Sequence, residues 1–235
     1  MNIYPINFNS RKLKIHGRAG ADQSVIAEIF KYREYRRAEQ IISQAKSLIL
    51  DVGAHIGAFT LYCKAINPTV KILALEPEPK NFFILQKNIS TNHVKGATVL
   101  EAALADKTTT AKFLITPDSH NHRLWLQADQ TNSPGDKNFI QVKTLSLAKL
   151  CQKHKIPSID LMKLDIEGGE YQILNALRSA DYQKLKNVIL EYHDSKSQNH
   201  KTIENILRQN GFSVETFPSK FDNQLGFLLA RNKRR

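Results

Sequence analysis

The sequence predicts an α/β fold: a doubly wound, mostly parallel sheet with helices on both faces and one antiparallel strand. Three observations carry this. Continuous apolar runs of strand length, such as "SLILDV" (47–52), mark strands covered on both faces. Amphipathic helical segments follow most of these runs, and strand–helix alternation implies a parallel sheet. The last two strands, "FSVETF" and "GFLLAR", are joined by a loop without a helix, so one of them runs antiparallel. The 235 residues suffice for one core and are too few for two.

Taken in order, residues 1–20 form short strands or an irregular cover. A helix over 22–46 carries Val25, Ile26, Ile29, Phe30 and Tyr32 near one end, and Ile41 and Ile42 near the other. Residues 1–46 are thus a cover segment and helix, and 47–235 the core of a single compact domain. After the strand 47–52, a helix from Gly57 to Ile66 stops before Pro68. A second strand (70–77), an amphipathic helix (79–92) and a third strand (97–104) follow.

Residues 106–141 interrupt the alternation. "TTTAKFLIT" and "NFIQVKTLS" are strands joined by a long polar loop, a hairpin-like β insertion. A short helix (146–154), the fourth central strand "SIDLMKLDI" (158–166), its helix (169–180) and the fifth strand "NVILEYH" (187–193) come next. A helix over 199–211, ended by glycine, precedes the final strand pair.

The chain start has no apolar run of the signal-peptide kind, and no stretch is long enough to cross a bilayer. Cys63 and Cys151 form no metal-ligand pair or disulfide framework, so a reducing, cytoplasmic setting is expected. The 34 Lys+Arg against 22 Asp+Glu give +12, which attracts polyanions without choosing among nucleic acid, anionic lipid and acidic sugars. The basic runs "KYREYRR" and "RNKRR" suit a solvated helix face and terminus as well as a nucleic-acid patch.

In doubly wound sheets, ligands bind at the carboxyl ends of the strands where strand order reverses. The first such end is "LILDVGAHIGAFTLYC" (48–63), a strand, a glycine loop and a helix. A dinucleotide fingerprint starting at Gly53 needs glycines at 55 and 58, where His55 and Ala58 stand. Asp51 at the strand end would repel a pyrophosphate and suits a cationic cofactor, such as the sulfonium S-adenosylmethionine. Glu76 ends the second strand, where a carboxylate can accept both ribose hydroxyls; alternatively it is a surface acid before Pro77. The residues expected at the cofactor are Asp51, Gly53, Ala54, His55, Gly57 and Phe59 on the first strand and loop. Glu76, Pro77, Ala102, Ala103 and Asp165 complete them from later strand ends.

"ILDVGAHIGAFT", "LALEPEPKNFFILQKNI", "EAALAD", "IDLMKLDIEGGEYQIL" and "VILEYH" together resemble the FkbM family of S-adenosylmethionine-dependent methyltransferases, in order over residues 20–231. The resemblance implies a class I methyltransferase, Rossmann-like fold with a seven-stranded sheet. It also implies O-methylation of sugars, glycolipids or polyketide-type products. The family usually shows asparagine where His55 stands; both tolerate positive φ better than most residues. The His55 ring either lines the methionine end of the cofactor or points to solvent.

The catalytic candidates are Asp165, Glu167, Glu191 and His193, which converge if the fourth and fifth strands are neighbours. Glu167 follows Asp165 by two residues and shares its side while the strand persists. Glu170 falls in the first turn of the next helix, where the dipole favours a carboxylate, so its role is mainly structural. His193 or Asp165 can act as general base for a hydroxyl; alternatively the acids and a histidine hold a divalent metal. The metal-free version is favoured because no compact ligand motif is present; alternatively the acids are a structural cluster paired with Lys163 or other bases, which suits four polar residues at strand ends less well. In "DSHNHRLW" (118–125), His120 and His122 are weak metal candidates, and Leu124 or Trp125 can stack on a sugar face or anchor the loop.

Two rivals stand beside a small-molecule or carbohydrate acceptor. One is an RNA-directed methyltransferase, supported by the charge but lacking an Asn/Asp-Pro-Pro-aromatic run. The other is a non-catalytic cofactor-fold module, against which the intact "DVGAHIG" and "KLDIEGGE" speak.

Overall fold

The computed structural model describes residues 1–116, 122–125, 138–194, 199–219 and 225–234. The chain opens with an antiparallel hairpin, β1 (Asn2–Phe8) and β2 (Arg11–Gly17). It continues through α1 (Ala21–Phe30), a 3₁₀ turn (Glu34–Ala38) and α2 (Glu39–Gln44). β3 (Leu48–Val52), α3 (Ala58–Ile66), β4 (Lys71–Leu75), α4 (Pro79–Thr91) and β5 (Ala97–Leu100) then alternate. β6 (Ala103–Leu104), β7 (Thr109–Ile115), β8 (Arg123–Leu124) and β9 (Asn138–Leu145) form a separate sheet in the order β6-β9-β7-β8. α5 (Leu147–Lys153), β10 (Leu161–Leu164), α6 (Glu170–Ala176), α7 (Ser179–Tyr182) and β11 (Asn187–His193) follow. α8 (His200–Gln209), β12 (Phe212–Pro218) and β13 (Leu225–Asn232) end the chain.

Among the described residues the main sheet has seven strands in the order β12-β13-β11-β10-β3-β4-β5. β13 is the strand that runs antiparallel, against both β11 and β12. Strand order reverses between β3 and β10, which opens a crevice at their carboxyl ends.

Both sheet faces are covered, as the continuous apolar runs require. Leu50, Val52, Met162, Leu164, Val188 and Leu190 pack beneath α5, α6 and α8. Ile49, Leu161 and Ile189 face α1, α2 and α3. Side chains alternate along a strand, so Asp51, Lys163 and Glu191 fall on the second face, toward α3 and the cover segment. That parity decides much of the site.

Three expected elements differ. The helix over 22–46 is broken: Arg33 adopts φ 54°, and the chain turns so that Tyr35 enters the core between Phe59 and Phe227, at ring separations of 4.7 and 5.4 Å. The third strand splits after Leu100, because exposed Glu101 leads the chain out of the main sheet; Ala103 and Leu104 pair with Thr144 and Leu145 instead. The helix over 169–180 stops at Leu177, which is extended, and restarts where the Asp181 carboxylate accepts the Arg178 N–H at 3.1 Å.

Candidate active site

A cavity of about 500 Å³ lies at the carboxyl ends of β3, β4, β10 and β11, at the strand-order reversal. α1 and the second sheet wall its outer side.

The loop after β3 folds under three positive-φ residues, Gly53 (74°), His55 (51°) and Gly57 (84°). His55 therefore takes the left-handed turn expected of it. The Gly53 and Ala54 N–H groups both donate to Leu75 O, at 3.1 and 2.9 Å, tying the loop to β4. A Cβ on Gly53 would overlap the Asp165 backbone carbonyl, so the loop lies directly against the end of β10.

Glu76 faces the cavity and is only 4 % exposed. His55 N–H donates to its Oε2 at 2.8 Å and Glu78 N–H to its Oε1 at 2.9 Å. Burial pushes this carboxyl up to about 7, although both N–H donors favour the charged form. The two bonds leave each oxygen a lone pair and fix its orientation.

The His55 ring lines the cavity and is also anchored on its far side. Its Nε2 lies 3.2 Å from Asp22 Oδ1, and Arg18 clamps the same carboxylate with Nε at 2.8 Å and Nη2 at 2.8 Å. Asp22 is fully buried, and although burial opposes its charge, bonds from His55 and Arg18 hold its carboxyl well below the usual range. A lowered carboxyl stabilises the fold above its unfolded value, and that contribution vanishes only as pH falls through the folded value. Asp22→Asn is thus expected to cost roughly 1–3 kcal/mol at neutral pH. The gap to wild type should close only in strongly acidic solution. Urea unfolding at several pH values measures this, and a gap independent of pH would contradict it.

The strand ends carry the charges. Lys163 is 3 % exposed. Its Nζ sits 3.1 Å from Asp165 Oδ2 and 3.7 Å from Asp51 Oδ1. Asp51 accepts Thr60 Oγ1 at 2.6 Å and is not among the lining residues: it shares a sheet face with Lys163, but its short side chain is fully buried beside Thr60 of α3. Burial pushes its carboxyl up, against the pull of Lys163 and Thr60. Depth in the fold likewise favours the acid form of Asp165, but Lys163, then His193 and His55, hold it below the ordinary carboxylate range.

Glu167, Glu191 and His193 do join Asp165 at the cavity. His193 Nε2 is 3.2 Å from Glu167 Oε2. Glu167 does not arrive by strand alternation: β10 ends at Leu164, and Glu167 turns in through φ 58°. Burial, then the charges of Asp165 and Glu170, raise Glu167 to about 8; burial, then the charges of Asp165, Glu167, Glu34 and Glu28, push Glu191 well up. Glu170 has the structural role expected, accepting Ile166 N–H at 2.8 Å and Gly168 N–H at 2.9 Å.

Of the residues expected at a cofactor, Gly53, Ala54, Phe59, Pro77 and Ala103 also line the cavity. Gly57 caps α3 behind it, and Ala102 is buried in the turn toward the second sheet. Several lining residues escaped sequence reasoning. Glu28, Tyr32 and Glu34 come from the cover segment and Phe113 from the insertion, and no local pattern marks them. Lys163 had a signal, a cation inside the apolar "LMKL". His122 and Leu124 line the cavity, whereas the Trp125 ring packs edge-on against Phe139 at 5.1 Å. His120 lies outside the described residues.

Comparison with known proteins gives four findings. Residues 51–214 match the model of the methyltransferase FkbM domain. The chain is 27% identical to the 31-O-demethyl-FK506 methyltransferase FkbM of Streptomyces tacrolimicus over 85% of each chain. It is 23% identical to the hexuronic acid methyltransferase AglP of Haloferax volcanii, covering 88% of this chain and 82% of that one. Among solved structures, the magnesium protoporphyrin IX methyltransferase of Synechocystis PCC 6803 shares the fold, with a TM-score of 0.54 at 12% identity over 93% of this chain and 86% of that one.

Proposed function

Because this chain belongs to the FkbM family of methyltransferases and has the class I methyltransferase fold, we propose that it uses S-adenosylmethionine to methylate a hydroxyl of a sugar, glycolipid or other small metabolite. One observation carries this reading. A single cavity joins the glycine loop and the oriented Glu76 carboxylate to a second group of acids and a histidine, Asp165, Glu167, Glu191 and His193.

The residues present fit such a cofactor. The loop brings backbone rather than side chains to the cavity at Gly53, and Glu76 offers two held acceptor oxygens for a diol. The carboxylates beyond them suit a sulfonium and disfavour a pyrophosphate. Once bound, S-adenosylmethionine supplies an electrophilic methyl group. The residues of this chain then do the rest. Gly53, His55 and Glu76 hold the cofactor, while Tyr32, Phe113 and Leu124 wall off water at the acceptor side. Asp165, ionised at neutral pH, accepts the proton of the acceptor hydroxyl at a carboxylate oxygen. Glu167 and His193 orient that hydroxyl as a pair.

A small acceptor is favoured over RNA. Glu28, Glu34, Glu167 and Glu191 line the acceptor side of a chain whose formal charge is +12, so a phosphate entering there would meet acidic side chains rather than the excess of Lys and Arg. The names of the two relatives, a 31-O-demethyl-FK506 methyltransferase and a hexuronic acid methyltransferase, also support a small-molecule or sugar acceptor. No helix among the described residues is long and apolar enough to cross a membrane.

The test is calorimetric titration with S-adenosylhomocysteine, with NAD as control, followed by methyl-label transfer to sugars, lipids and RNA. Saturable binding of S-adenosylhomocysteine alone and label on a hydroxyl compound are expected. Preferential NAD binding would overturn the cofactor, and label on RNA alone would overturn the acceptor.

A further inference from the structure

Lys163 has no part in the chemistry above, yet it joins both halves of the site. Its Nζ donates to Gly53 O at 2.7 Å and contacts Asp165 Oδ2 at 3.1 Å. Val52 O at 3.5 Å and Asp51 Oδ1 at 3.7 Å complete its surroundings, with the Phe59 ring centre 6.0 Å away. The polar partners belong to the end of β3, the glycine loop and the end of β10. A buried ammonium is costly where a methionine would not be. What the ammonium adds is three directed N–H donors at one fixed point.

Lys163 is unsuited to accept a proton itself. Burial works against its charge, but Asp165 and Asp51 more than offset this and hold the ammonium above its ordinary range. We propose that Lys163 is a positioning residue for methyl transfer, which keeps Asp165 a carboxylate and locks it in register with the cofactor loop. This rests on the reading of Asp165 as the group facing the acceptor hydroxyl. The other groups facing this pair are Asp51 from β3, His55 from the loop and Glu76 after β4. Glu34 and Tyr35 approach from the 3₁₀ turn, Glu167 and Glu170 from the turn and helix after β10, and Glu191 and His193 from β11.

The experiment uses the full chain and two readouts. One is the titration of the Asp165 carboxyl, followed by NMR in protein carrying ¹³C at aspartate carboxyl carbons and assigned by its loss in Asp165→Asn. The other is calorimetric affinity for S-adenosylhomocysteine. In Lys163→Met the Asp165 midpoint should rise by about 1–3 pH units. Affinity at neutral pH should fall about tenfold as the Gly53 tie is lost. Lys163→Arg, which keeps the charge, should restore most of the midpoint. Should Lys163→Met not fold, Asp51→Asn/Lys163→Met removes both opposed buried charges and is read in the same way. An unchanged midpoint and affinity would overturn the proposal, and failure of both variants to fold would reassign Lys163 to stability alone. Active Asp165→Asn protein would instead overturn the reading of Asp165, whatever Lys163 does.

Discussion

Asp165→Asn is expected to lower kcat for methyl transfer by about 10²–10⁴-fold while leaving S-adenosylhomocysteine affinity close to wild type. The amide keeps the size of the carboxylate and its place beside Lys163, but it cannot accept a proton. The pH profile supplies a second check. Lys163, His193 and His55 hold the Asp165 carboxyl below the ordinary range against the effect of burial. Wild-type activity should therefore persist on the acid side to below the usual aspartate range before Asp165 protonates and turnover falls. Single-turnover methyl transfer between neutral and acidic pH measures both. His193→Ala belongs in the same series, because the histidine shares the cavity and contacts Glu167 at 3.2 Å. Turnover near wild type in both variants would remove the assignment of a base to this cluster.

The second large effect is expected at Gly53. Gly53→Ala meets two penalties together, a left-handed backbone at φ 74° and an overlap with the Asp165 backbone carbonyl. The carbonyl belongs to the end of a buried strand and cannot swing aside as a flexible side chain would. The loop must move away from β10, which breaks the bond from Lys163 to Gly53 O and spoils the bed beside Glu76. A loss of roughly 2–4 kcal/mol in stability follows, together with at least about a hundredfold loss in S-adenosylhomocysteine affinity. Gly20→Ala is the control. Gly20 has φ 83° and ψ −113° but nothing within 4 Å of an added Cβ, so it carries a backbone penalty without overlap, about 1–3 kcal/mol. Thermal unfolding and calorimetry of the two variants separate strain from overlap. Wild-type affinity in Gly53→Ala would contradict the close packing of loop and strand.

Much of this arrangement was legible in the chain because it depends on local pattern. The apolar runs at 48–50 and 188–190 are continuous since each strand is covered on both faces, and the structure packs them against both helical layers. His55 was readable as a left-handed turn residue because the spacing between Gly53 and Gly57 leaves it inside the loop. Glu76 and Asp165 were readable as strand-end acids, and both face the cavity. Asp51 was readable in the same way; it shares the face of Lys163 but does not line the cavity, because its short side chain is buried beside Thr60. The break at Arg33 was hidden because residues 31–37 are compatible with helix; what turns the chain is the burial of Tyr35 against Phe59 and Phe227.

The sequence by itself determined the strand–helix order, the glycine loop and the acids at the strand ends. These follow from side-chain periodicity and backbone φ preference, which act over a few residues. Only the tertiary structure decided that Asp22 holds His55, that Lys163 bridges Gly53 and Asp165, and that Glu28 and Glu34 of the cover segment face Glu167 and Glu191 across one cavity. Apart from Lys163 and Asp165, two positions apart on one strand end, those contacts join residues 33 to 163 positions apart, and strand order, register and burial set them together.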